Sequence, residues 1–125
     1  MKRNEGVFIA CLCLIIASCK SPFSSAAANL VLDGNLVGVM TSDGRPEFDG
    51  AVINTGNNTA YYCKVVLTCY SDEAKTTLID TAIGYPANLG DIPAGTRAVF
   101  QAVAFNCTSH EQIKAMTVNI SWLDR

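Results

Sequence analysis

The sequence predicts an all-β domain, an immunoglobulin-like β-sandwich of six to seven strands, behind an N-terminal leader. Three observations predict it. Beyond Asn29 the apolar residues fall in short stretches, and no segment sustains helical spacing. Gly, Asn, Asp and Pro gather between those stretches, where turn geometry needs them. The chain has 125 residues, 50% of them hydrophobic, which suits one modest core.

In chain order the strands are expected near Asn29 to Leu32, Leu36 to Thr41, Glu47 to Asn54, Ala60 to Ser71, Leu78 to Tyr85, Arg97 to Asn106 and Ala115 to Leu123. Asp33-Gly34-Asn35, Ser42-Asp43-Gly44, Thr55-Gly56-Asn57-Asn58 and Pro93-Ala94-Gly95 are the turns, because Gly and Asn tolerate positive φ and Pro presets it. A helical turn is expected only at Ser109 to Lys114, where Ser109 caps and Gln112 stands three residues on. In the central strand Cys63, Val65, Leu67 and Cys69 share one face, and Tyr62, Lys64, Thr68 and Tyr70 the other, since side chains alternate. The first face is the core candidate.

The leader has Lys2 and Arg3 as a cationic start, an apolar run from Val7 to Ala17, and small residues before a cysteine. A membrane-spanning helix needs about 20 apolar residues, so this run is too short to be one. Ile16-Ala17-Ser18-Cys19 resembles the lipobox of bacterial lipoproteins, whose cysteine is diacylated and becomes the first residue of the mature chain. That resemblance implies a signal peptide at residues 1–18, lipidation of Cys19, and a place in the cell envelope on the extracytoplasmic side of a bacterial membrane. An ordinary cleavage site at Ala26-Ala27-Ala28 is the alternative, but it lies unusually far from the apolar run. Residues 19–28 then read as the lipidated cysteine with a small, polar, flexible spacer, and residues 29–125 as the domain.

The order Val52-Ile53-Asn54-Thr55-Gly56, then Lys64-Val65-Val66-Leu67-Thr68-Cys69-Tyr70-Ser71-Asp72, then Leu89-Gly90-Asp91-Ile92-Pro93-Ala94-Gly95 and Phe100 resembles the FxLYD family, immunoglobulin-like domains of prokaryotic envelope proteins and lipoproteins. The resemblance covers roughly Phe48 to Trp122. It departs at Cys69, where an aromatic is common, and at Ser71 to Thr77, which lacks the usual Asp-x-x-Gly turn. What it implies is an accessory or interaction domain; it supplies no catalytic residues.

Six cysteines are present. Cys11 and Cys13 belong to the leader and Cys19 to the anchor, which leaves Cys63, Cys69 and Cys107. Cys63 and Cys69 lie about 20 Å apart on one strand, too far for a disulfide. In an immunoglobulin-like sheet the strand from Ala60 runs beside the one ending near Asn106, so a Cys63–Cys107 bridge is expected, with Cys69 a buried thiol. Three reduced cysteines packed as small hydrophobes are the plainer alternative.

Little else carries chemistry. The charge is −2, from 9 basic and 11 acidic residues without a basic run, which argues against nucleic acid and against electrostatic binding to anionic lipid. A lipid on Cys19 must therefore hold the membrane alone. Ser109-His110-Glu111 has the residue types of a triad, but neighbours in sequence do not normally converge. The three thiols lack zinc-finger spacing and His110 is the single histidine, so no metal or cofactor is expected. The carboxylates from Asp43 to Asp49 and at Asp72-Glu73 lack the ligand pattern of a calcium loop and read as turn and edge charges. Asn57-Asn58-Thr59, Asn106-Cys107-Thr108 and Asn119-Ile120-Ser121 match the glycan acceptor triplet, with no reason to expect use in a bacterial lipoprotein.

The functional expectation is an envelope module without an active site, binding a protein or other ligand through a face carrying Tyr62, Lys64 and Tyr70. A structural spacer in an envelope complex is the alternative, and a hydrolase the least favoured.

Overall fold

Seven antiparallel strands form one hydrogen-bonded sheet in a computed structural model that describes residues 27–124. The leader, Cys19 and most of the spacer lie outside the described residues. The strands are β1 (Leu30–Leu32), β2 (Val37–Met40), β3 (Pro46–Asn54), β4 (Ala60–Tyr70), β5 (Leu78–Gly84), β6 (Arg97–Val103) and β7 (Ala115–Asp124). All seven fall where the apolar stretches and turn residues place them.

The sheet order is β1-β3-β6-β5-β4-β7, with β2 also paired to β3. β1 and β2 share one edge of β3: Leu30 stands opposite Asn54, and Met40 opposite Pro46. The link between β6 and β5 is a single pair, Ile83 with Val103. Two layers result, β1/β2-β3-β6 and β5-β4-β7, and they close over a shared core. Val52, Phe100 and Ala102 enter it from the first layer, and Val65, Leu67 and Ala82 from the second.

Alternation sets the register. Cys63, Val65, Leu67 and Cys69 are completely buried, while Tyr62 and Lys64 are exposed and Tyr70 is half-buried. The turn glycines Gly34, Gly44 and Gly95 have φ of +85°, +84° and +77°, the left-handed region that a side chain disfavours. Ser109 accepts a hydrogen bond from the Glu111 amide at 3.0 Å, and Gln112 Oε1 accepts from the Ser109 amide at 3.0 Å. This is the capping box that the S-x-x-Q spacing predicts, on a single 3₁₀ turn, His110–Gln112.

Asn54 is the polar centre of one end of the fold. It is fully buried, and its amide is fully used. Oδ1 accepts from the Asn29 and Gly56 amides at 3.1 and 3.0 Å, and Nδ2 donates to the Asn58 and Ile92 carbonyls at 2.8 and 2.9 Å. The amide of Ala27 donates to Asn57 Oδ1 at 2.8 Å. Ala28 is buried and donates to Asp124 Oδ2 at 3.0 Å.

The cysteines correct an expectation. Cys63, Cys69 and Cys107 are all free thiols, and the Cys63–Cys107 bridge does not form. The reason is topological: β6 pairs with β3 in the opposite layer, not beside β4. Cys107 follows Asn106, whose amide donates to Asp80 Oδ2 at 2.8 Å, and Asp80 stands opposite Cys69 in the β4–β5 ladder. Cys107 therefore sits at the Cys69 end of β4, and Cys63 is about 20 Å away along the strand.

Candidate interaction surface

The outer face of the β1/β2-β3-β6 layer carries an apolar strip. Pleating sends Phe48, Val52 and Phe100 inward, so Glu47, Asp49, Ala51 and Ile53 of β3 face outward with Val99 and Gln101 of β6. Val37 stands opposite Asp49 and Val39 opposite Glu47 on β2, and Val31 opposite Ile53 on β1, so these valines share that outer face. Four valines are exposed there: Val31 at 39%, Val37 at 58%, Val39 at 36% and Val99 at 65%. A solvent-facing side of an antiparallel sheet is ordinarily polar.

Two of these valines, Val37 and Val99, line a groove of about 920 Å³ whose floor includes Ala51 and Val99. Asp33 and Val37 line one side, and Tyr85 and Asn88 the other. An ion pair closes one end, with Arg97 Nε donating to Asp33 Oδ2 at 2.7 Å. Toward the other end stand Glu47 and Asp49. Asp49 holds the Glu47 carboxyl above its ordinary range, by a side-chain hydrogen bond first and by its charge last. Asp49 Oδ1 is buried and has no hydrogen-bond partner.

The Tyr85 wall has unusual backbone. Ala87, Asn88 and Leu89 have φ of 54°, 50° and 65°, three consecutive residues without glycine in the left-handed region. Such conformations cost of order 1–3 kcal/mol each and gather at functional sites. Tyr85 and Leu89 stay 44% and 42% exposed beside this stretch.

On the second layer the residues expected to form a binding face are spread out. Tyr62 sits at a bulge, with φ 54° and a register shift against β7 between Tyr61 and Lys64. Lys64 is exposed next to it, and Tyr70 lies at the far end of the strand, about 20 Å from Lys64. Thr68, Thr81, Thr117, Asn119 and Ser121 make most of the surrounding outer face polar. The structure brings Tyr62 and Lys64 together and leaves Tyr70 apart.

Other singled-out residues have structural roles here. The Ser109 hydroxyl is used as a cap. The His110 ring packs edge-on against Phe48, at 5.0 Å between centroids and 89° between planes, with Nε2 2.6 Å from the Val39 carbonyl. Burial pushes the Cys63 thiol up to about 11. Burial, then the charges of Asp80 and Cys107, push Cys69 up to about 12. Cys107 is raised too, by burial first and by the Asp80 charge and its hydrogen bond. Asp72 anchors the β4–β5 turn, and bonds from Thr76 and Thr77 hold its carboxyl below the ordinary value. Among the described residues, no group of three or more His, Cys, Asp or Glu is placed to hold a metal ion. No helix among them is long and apolar enough to cross a membrane.

The valine strip is what residue-by-residue reading passed over. Its signal was present: Val99 and Phe100 are apolar at adjacent, hence opposite-facing, positions of β6, so one of them had to face solvent. Comparison with known proteins brings no match to this chain: no family model, no curated protein and no solved structure.

Proposed function

We propose that this chain is a lipid-anchored accessory module of the cell envelope, of the FxLYD kind, which binds an extended segment of a protein partner in the groove of its first layer. It works by binding, without an active site of its own. The observation that carries the reading is the set of exposed valines on one outer face, Val31, Val37, Val39 and Val99, of which Val37 and Val99 line a groove with charged ends. Exposed apolar patches rimmed by polar groups mark interaction sites. The left-handed Ala87-Asn88-Leu89 wall supports the same face. Glu47 and Asp49 favour a partner segment that brings a cation or a hydrogen-bond donor next to its apolar side chain. The lipobox-like Ile16-Ala17-Ser18-Cys19 supports the anchor and the extracytoplasmic address.

A photoreactive amino acid at Val99 in cells tests the binding. One reproducible adduct from Val99, lost on Val37→Asp and absent when the same group stands at Tyr62, is the expected result. Capture from Tyr62 alone transfers the site to the second layer. No adduct from either position leaves the spacer role.

A further inference from the structure

β7 is the longest edge strand of this sheet. The opposite edge is covered by short strands, β1 of 3 residues and β2 of 4, whereas β7 runs for 10 residues and pairs on one side only, with β4. Natural sheets blunt such edges with Pro, inward charges, central Lys or bulges, because a bare edge templates pairing with another strand. β7 has none of these devices. From Ala115 to Leu123 it is uncharged and free of Pro and Gly, and the nearby charges stand at its ends, Lys114 before it and Asp124 and Arg125 after it.

The inward row of β7 is also incompletely covered. Val118, opposite the fully buried Leu67, is itself 40% exposed. Met116, Ile120 and Trp122 pack on the core while remaining only partly buried. Among the described residues, no backbone hydrogen bond reaches the outer edge of the strand.

We propose that β7 pairs antiparallel with β7 of a second copy of this chain, about a two-fold axis at Asn119. The sequence is self-complementary in that register. Val118 meets Ile120 and Met116 meets Trp122 on the inward side; Thr117 meets Ser121 and Asn119 meets Asn119 on the outward side. Each pair is apolar with apolar or polar with polar, and residues of like facing meet, as antiparallel pairing requires. At both ends Lys114 of one copy meets Asp124 of the other. Asp124 already accepts from Ala28 and from Asn58 Nδ2, and its carboxylate retains acceptor capacity for the lysine. The second layers of the two copies then form one continuous sheet, β5-β4-β7-β7-β4-β5, and both β7 edges are covered. A two-fold interface of this kind uses the same surface twice.

The test is cysteine trapping in intact cells expressing the full chain. Asn119 and Thr81 are both exposed on outer faces, so Asn119→Cys and Thr81→Cys leave the core untouched. On mild oxidation Asn119→Cys gives a reductant-sensitive band at twice the chain mass, and Thr81→Cys does not. Thr117→Cys and Ser121→Cys fail to link singly, and the double variant links. Absence of the band from Asn119→Cys, or an equal band from Thr81→Cys, overturns the proposal. Because these positions are remote from the groove, the result is independent of partner capture at Val99.

Discussion

Cys69 and Asp80 face each other across the β4–β5 ladder, and both are buried, with exposures of 0% and 6%. Asp80 is the one buried carboxylate among the described residues. It earns that place by bonding: it accepts from the Thr81 amide at 2.7 Å, and from the Asn106 amide and side chain at 2.8 and 3.2 Å. Through it the chain beyond β6 is tied to β5, which brings Cys107 to the end of β4.

Removing that carboxylate strands the Asn106 donors. Asp80→Ala is expected to lower stability by about 2–3 kcal/mol, the cost of losing hydrogen bonds to a charged acceptor in a buried setting. Urea unfolding measures it, with the midpoint falling and the slope unchanged.

The thiols set an alkaline limit on the fold. Burial raises Cys63 to about 11 and Cys69 to about 12 from an ordinary 9.0, so an unfolded chain releases these protons at lower pH than the folded one. Their contribution is fully present below pH 9.0 and is lost as pH rises toward 11 to 12. Stability is expected to decline from pH 9 to 11, and alanine at both positions to flatten that decline. At pH 8 iodoacetamide should leave Cys63, Cys69 and Cys107 unmodified until denaturant is added.

Asn54 allows a sharper chemical comparison. Its Nδ2 points at the Asn58 and Ile92 carbonyls, so Asn54→Asp places an oxygen where two carbonyl oxygens converge. A loss of at least about 3 kcal/mol is expected at pH 7, from a buried charge that cannot donate. Thermal unfolding of Asn54→Asp beside wild type measures it.

Gly56 is needed for close approach rather than for its φ. A Cβ there stands 2.2 Å from the Ala27 carbonyl oxygen and 2.6 Å from the Asn29 nitrogen. Gly56→Ala is therefore expected to push the Ala27–Asn29 backbone off the domain, at a cost of about 1–3 kcal/mol. Faster amide exchange at Ala28 and Asn29 identifies that segment as the one displaced.

The strands were legible because each physical signal is local. Alternation in Cys63 to Cys69 fixes the face of β4, Gly34, Gly44 and Gly95 fix turns, and Ser109 with Gln112 fixes the cap. Layer assignment was not legible, since whether β6 lies beside β3 or β4 depends on long-range pairing, and the Cys63–Cys107 expectation failed on that choice. The groove was only half legible. Val37, Val39 and Val99 follow ordinary strand composition, and only the assembled sheet shows that they share its outer face. The left-handed Ala87-Asn88-Leu89 turn carries no glycine, and its one residue that favours positive φ, Asn88, gives no sign that Ala87 and Leu89 share that conformation.

The intact mass of the protein extracted from its own membranes tests the anchored address most directly. The predicted mass is that of a chain beginning at Cys19 plus acyl groups, unchanged by reductant because Cys63, Cys69 and Cys107 are free. A mass without lipid, beginning at Asn29 or still carrying the leader, would contradict it.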